Sequence, residues 1–179
     1  SAEGVDATTA GVETLPPAAL DLLEARGPVR PGRRGLAVSQ DRLTEKAFLA
    51  GLGVRVAPYA AVDDAVDLAE ALDEIGTPAI LKTRRLGYDG KGQVRLTSPA
   101  KAKARAALAA MKGAPSILEG HIDFSHEVSV IAARGLDGQV ACFDPGQNVH
   151  KDGILATTTV PANLSIAQRT DAVLLAGRI

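Results

Sequence analysis

"PAILKTRRLGYDGKGQVRL", residues 78–96, sets two apolar runs on either side of a loop that holds Gly87, Gly90 and Gly92 with Lys91 among them. The first run ends on Lys82 and the second begins at Gln93. A tight turn needs glycine but not charge, and a solvated loop tolerates charge without needing three glycines. The spacing is not that of the dinucleotide-binding G-x-G-x-x-G turn. It also lacks the Lys-Ser/Thr that ends a Walker loop at a helix start. Here the loop joins two strands. A glycine-tipped hairpin can lay successive N–H groups over phosphate oxygens and still open and close. The kinase-type glycine loop does so on another fold. Lys82 would then reach a phosphate as a point charge. The competing reading is a flexible hairpin with a solvated basic face.

The rest of the chain limits the choices. It has 179 residues, enough for one ordinary domain or two small ones. Hydrophobic residues make up 46% and charged residues 23%, as in a globular protein. Aromatic residues are 3% and Trp is absent, which argues against base stacking and hence against nucleic acid as a partner. The formal net charge is −1, so positive charge is local. Lys82, Arg84, Arg85, Lys91 and Arg95 surround the loop, with Asp89 as the acid among them. Cys142 is the single cysteine, which excludes an intrachain disulfide and fits a reducing, cytoplasmic location. No apolar run approaches the roughly 18 residues of a membrane span, and no leader pattern is visible.

Periodicity and stop signals divide the chain. "VDATT" reads as a short strand, and "PPAALDLLEARG" as a helix over Pro17–Arg26 with Gly27 as its stop. "PVRPGRRG" reads as a connector and "SQDRLTEKAFLAGLG" as one helix ended by Gly53. After the extended "VRVAPYAAV", "DDAVDLAEALDEIG" reads as a helix capped by Asp63. Beyond the hairpin, "SPAKAKARAALAAMKG" reads as a helix capped by Ser98, with Pro99 in its first turn. "SILEG", a longer "HEVSVIAARG", "QVACF" and "ILATTTV" read as strands, and "IAQRTDAVLLAG" as a last helix. The sum is an α+β fold rather than a doubly wound sheet.

Other residues carry weaker signals. In "ILEGHIDFSHE", Glu119 ends a short strand and Glu127 opens the next, sharing a face with Ser129. A carboxylate there can accept from sugar hydroxyls; it can equally be a surface acid on an edge strand. His150 in "QNVHKDG" reads as an exposed loop histidine, and His121 and His126 suggest no role. Three scattered histidines and one cysteine lack zinc-ligand spacing. Cys142 reads as a buried small hydrophobe, and no nucleophile elbow is present.

Together, "PAILKTRRLGYDGKGQ", "ILEGHIDFSHEVSVIAARG" and "QNVHKDGILATTTVPA" strongly resemble the N5-carboxyaminoimidazole ribonucleotide synthetases, ATP-grasp enzymes of purine synthesis. "QDRLTEKAFLAGLGV" resembles their segment leading into the ATP-grasp region. The resemblance implies a partial ATP-grasp fold. Residues 1–35 would be the tail of a Rossmann-like N-terminal domain with its connector, 36–116 the lid subdomain, and 117–179 the start of the core subdomain. It implies phosphate binding by Arg42, Lys82 and the loop of Gly87, Tyr88, Asp89, Gly90, Lys91, Gly92 and Gln93. It further implies an adenine-reading hinge at Glu119, Gly120, His121 and Ile122, a ribose-binding Glu127, and a nucleotide contact at His150.

The implied reaction is ATP-driven carboxylation of 5-aminoimidazole ribonucleotide by bicarbonate through carboxyphosphate, assisted by Mg²⁺ and cations. The glycine loop would be its lid, and Tyr88 a candidate substrate contact. In that family the acidic Mg²⁺ ligands follow the last helix, beyond this chain. The isolated chain is therefore expected to bind nucleotide without turnover. A homodimer is a family expectation. "FDPGQN" departs from the family's usual start of that strand. Another ATP-grasp carboxylate–amine ligase, or a non-catalytic ATP-binding module, would share these nucleotide residues.

Overall fold

The computed structural model describes residues 4–86, 92–151 and 153–179. They separate into two compact units. The first takes in residues 4–48, 57–86 and 92–120, and the second residues 49–56, 121–151 and 153–179.

The first unit is built on a four-stranded antiparallel sheet. Its strands are β3 (Tyr59–Val62), β4 (Ala79–Thr83), β5 (Gln93–Leu96) and β6 (Ser116–Gly120), in the order β3-β6-β4-β5. The two runs flanking the glycine loop pair as a hairpin, with Lys82 opposite Gln93 and Ala79 opposite Leu96. Side chains directly opposite each other share a face, and neighbours along a strand alternate. Ala79 and Leu81, Leu96, Leu118 and Val62 therefore fall on one face. Onto it pack α4 (Ala65–Ile75) and α5 (Lys101–Ala110), through Leu68, Ala71, Leu72 and Ala107. All of these core side chains are at most 5% exposed. With so few aromatic residues, aliphatic packing carries this core, at about 1.5–3 kcal/mol for each fully buried Leu or Val.

A short parallel element precedes the sheet: β1 (Thr8–Thr9) pairs with β2 (Val29–Arg30) across α1 (Pro17–Glu24). Leu20, Val29 and, from α2 (Arg33–Ser39), Leu36 form a separate small core. Pro17 occupies the first turn of α1, as its missing N–H allows.

The second unit holds a three-stranded antiparallel sheet in the order β11-β10-β7. Its strands are β7 (Glu127–Ser129), β10 (Gly146–Lys151) and β11 (Ile154–Thr159). Beside it are the two-stranded β8 (Ala132–Arg134)–β9 (Val140–Cys142) and the helix α6 (Ile166–Ala176). A capping box of Ser165 and Gln168 starts α6. Near its end Arg178 hydrogen-bonds the Leu52 carbonyl, and Arg134 donates to the Gly177 carbonyl at 2.9 Å.

Several local expectations are corrected. The predicted connector contains β2 and the start of α2. The helix predicted from Ser39 to Gly53 starts later, as α3 (Arg42–Gly51); Ser39 instead ends the separate α2, with a break at Gln40–Asp41 between the two. The break has a cause: Asp41 Oδ1 accepts from the Leu43 and Thr44 N–H groups at 3.0 and 3.3 Å, an N-cap for α3. Asp64, not Asp63, caps α4. Asp67 lies three residues on and returns its carboxylate to the Asp64 N–H, whereas residue 66 is a valine without an acceptor. α5 starts at Lys101 without a side-chain cap bond, later than Ser98. "HEVSVIAARG" is two strands of different sheets, β7 and β8. "QNVHK" is strand β10, paired on both sides, so His150 lies on a strand rather than in a loop. Cys142 is half-buried rather than buried.

Gly87, Tyr88, Asp89, Gly90 and Lys91 lie outside the described residues. Gly92 is described. It has φ +70°, and a Cβ there would stand 3.0 Å from Thr83 Oγ1. Strand β5 is thus entered through a left-handed residue that closes on β4, with the Thr83 N–H donating to the Gly92 carbonyl at 2.9 Å. Gly92→Ala is expected to lower unfolding stability by about 1–2 kcal/mol in urea titration. A substitution without effect would show that the hairpin tolerates a side chain there.

Candidate functional site

The sheet of the first unit has a second face, and its composition is different. Register places Tyr59, Glu119, Ile80 and Arg95 in one cross-strand row. Ala61, Ile117, Lys82 and Gln93 form the next. Lys82 and Glu119 are thus diagonal neighbours on one face, a separation that a long side chain can span. Lys82 Nζ donates to Glu119 Oε2 at 3.0 Å. The same oxygen lies 3.4 Å from Lys46 Nζ, presented by α3. The three side chains are 24%, 11% and 16% exposed, so none is deeply hydrated. Two ammonium groups on one carboxylate leave a net positive centre in a partly desolvated place, which suits an anion.

A second set of contacts fixes the strand that carries Lys82. Arg42 Nη1 donates to the Thr83 carbonyl at 2.9 Å, and the Arg42 N–H to the Arg84 carbonyl at 3.0 Å. Arg84 grips Asp41 with Nε at 3.2 Å and Nη2 at 2.9 Å. Arg85 donates to Gln40 Oε1 at 3.0 Å. The basic "TRR" run that reads as a solvated lead into the loop is therefore tied, residue by residue, to the start of α3. Burial works against ionisation of Asp41. The Arg84 hydrogen bond, the Thr44 and Leu43 N–H groups and the Arg84 charge outweigh it and hold the carboxyl below its usual range.

The expected residues divide between the units. Arg42, Lys82, Gly92, Gln93, Glu119 and Gly120 lie in the first, and His121, Ile122, Glu127 and His150 in the second. In the first, the structure brings Lys82 onto Glu119, sets Gln93 directly across from Lys82, and places Arg42 on the carbonyl after Lys82. Gly120 ends β6, with Pro58 and Ile75 packed where a Cβ would project.

In the second, Glu127 lies on edge strand β7 opposite Asn148, and Asn148 is opposite Thr158. The register of β10 shifts between Val149 and His150, and His150 Nδ1 comes within 3.3 Å of Glu127 Oε1. Asn148 Oδ1 accepts from Thr158 Oγ1 at 2.9 Å and Ser129 Oγ at 3.4 Å. Glu127, Asn148, Thr158 and His150 make a half-exposed polar strip of donors and acceptors, which suits hydroxyl groups. His121 makes no contact that assigns it a role.

Sequence reasoning missed Lys46, Asp41 and Tyr59. The available signal was the Arg42–Lys46 spacing, one helical turn apart on one face. Among the described residues, no group of three or more His, Cys, Asp or Glu side chains could hold a metal ion.

Comparison with known proteins bears on this arrangement. A family model described as the ATP-grasp domain matches residues 47–179. The chain is 53% identical over 161 residues to the N5-carboxyaminoimidazole ribonucleotide synthase of Brucella melitensis, covering 90% of this chain and 44% of that relative. A crystal structure of an N5-carboxyaminoimidazole ribonucleotide synthetase in complex with ADP matches at TM-score 0.90 and 36% identity, over 99% of this chain and 46% of that one. The Aspergillus clavatus carboxyaminoimidazole ribonucleotide synthase complexed with ATP matches at TM-score 0.89 and 26% identity, over 99% and 46%. The chain spans less than half the length of these relatives.

The Asp41–Arg84 pair yields a pH test. A carboxylate whose folded pKa is depressed contributes stability above its unfolded value, 3.8, and loses it as pH falls through the folded value. Asp41→Asn keeps an oxygen for the cap but removes the charge facing Arg84. It is expected to cost about 1–3 kcal/mol at neutral pH, measured by chemical denaturation. The gap to the parent should narrow as pH drops below 3.8. A pH-independent gap would mean that the charge is not what Arg84 requires.

Proposed function

The chain belongs to the ATP-grasp family, and from that premise we propose that it is the nucleotide-holding part of a ligase that carboxylates 5-aminoimidazole ribonucleotide with ATP and bicarbonate. The observation that carries this reading is the Lys82–Glu119–Lys46 centre, one strand residue from the Arg42 clamp on β4. A cation at the end of a hairpin strand, with its backbone held from behind, can meet a phosphate oxygen without reorganising the strand. Relatives named N5-carboxyaminoimidazole ribonucleotide synthase and structures solved with ADP and ATP support the choice of nucleotide and acceptor.

In this proposal Lys82 and Arg42 neutralise phosphate charge. The Gly87–Gln93 loop covers the phosphates. The backbone from Glu119 to Ile122 reads the adenine edge. Glu127 accepts from the ribose hydroxyls, and His150 adds a further contact beside it. Bicarbonate oxygen attacks the γ-phosphorus, the bond to the β-phosphate oxygen breaks, and ADP and carboxyphosphate result. The exocyclic amine of the ribonucleotide then takes the carboxyl carbon, inorganic phosphate leaves, and the amine loses a proton. Excluding water matters because carboxyphosphate hydrolyses readily. Mg²⁺ would supply phosphate charge neutralisation through ligands outside these residues. A cytoplasmic homodimer belongs to the same proposal.

The test is calorimetric titration of the chain with ADP and ATP. Binding is expected for the parent, and Lys82→Ala should weaken it by about tenfold or more, with little change in thermal midpoint. Undiminished affinity in that variant would remove Lys82 from phosphate binding.

A further inference from the structure

Lys46 has no part in the nucleotide contacts above, yet it shares their central carboxylate. Glu119 Oε2 has two ammonium groups, Lys82 at 3.0 Å and Lys46 at 3.4 Å. Glu119 is 8% exposed, and among the described residues it shares the interior with one other charged side chain, Asp41. Lys46 is held from other directions too. Its Nζ lies 5.9 Å from the centre of the Tyr59 ring, and Tyr59 is the residue directly across from Glu119 in the sheet. Its helix is anchored one turn earlier by Arg42 on the Thr83 carbonyl, and at its start by the Asp41–Arg84 pair.

Such an arrangement answers a specific problem. A lysine that pairs with a buried carboxylate cannot move to a phosphate without stranding that carboxylate, and a buried unpaired charge is costly. A second cation on the same oxygen removes the obstacle. We propose that Lys46 is a positioning residue for nucleotide binding: it keeps Glu119 neutralised when Lys82 Nζ turns to a phosphate oxygen. The inference rests on the nucleotide reading above and extends it to a residue that touches no part of the nucleotide. Lys46 sets the cost of releasing Lys82, while Lys82 makes the contact.

The experiment is ADP titration calorimetry on the 179-residue chain with a double-mutant cycle. Lys46→Met is expected to weaken ADP binding by about tenfold, and Lys46→Arg, which keeps the charge, by no more than about threefold. In the Glu119→Gln background no charge is left to strand, so adding Lys46→Met should cost about twofold or less. A merely structural lysine would lower affinity equally in both backgrounds. Equal losses in the two backgrounds, a Lys46→Met affinity within about twofold of the parent, or Lys46→Arg losses as large as those of Lys46→Met would each overturn the proposal. A Lys46→Met protein that does not fold leaves the Lys46→Arg outcome decisive. A parent chain that binds no ADP overturns the nucleotide reading itself, a result distinct from parent binding with an indifferent Lys46.

Discussion

The antiparallel pairing of β4 with β6 is the constraint on which the first unit depends. It sets Leu81 across from Leu118 on one face, and Lys82 diagonal to Glu119 on the other. A slip of one residue would exchange the faces, placing Lys82 among α4 and α5 and Leu81 among the charges. The apolar face pins the register because Ala79, Leu81, Leu96 and Leu118 must all meet the helices. The charged face inherits that register without having to specify it. In this way ordinary aliphatic packing determines the geometry of a cluster of ions.

That cluster would be poor stabilisation by itself. Partly buried ions lose hydration, and pairing returns only some of it. The structure limits the loss by sharing one carboxylate between two ammonium groups and by fixing the strand from behind through Arg42, Arg84 and Asp41. The surplus positive charge is what a phosphate-bearing ligand would use. The second unit offers a different chemistry, a polar strip of Glu127, Asn148, Thr158 and His150 with oxygen and nitrogen partners. Gly146 helps keep β10 close in that sheet, since the Thr158 methyl stands 2.6 Å from where its Cβ would be.

Much of this was legible before any coordinates. The hairpin around the glycine loop followed from two apolar runs with alternating inward residues and a glycine-rich break. The long helices followed from their period and stop signals; Lys82 stood out at the end of the hairpin strand, whereas Glu119, Glu127 and His150 took a role only from the family resemblance. What failed were the short elements. α2 begins within what reads as a connector, and the break between it and α3 depends on a long-range partner, Arg84, which holds Asp41 from forty-three positions away. Strand β10 is polar along its length, and its backbone is ordered by β7 and β11 rather than by its own side chains.

The amino-acid sequence by itself determined the longer helices and the hairpin strands, because these are written in local periodicity and stop signals, and its motifs carried the resemblance to the family. It could not show that Lys46 and Lys82, thirty-six residues apart, converge on one oxygen of Glu119, or that Glu127 meets His150 across a register shift. Those meetings are decided by tertiary structure, through sheet register and helix placement. The physical reason is that an ion pair between distant residues leaves no periodic trace: either partner alone looks like a surface charge, and only the fold sets the distance between them.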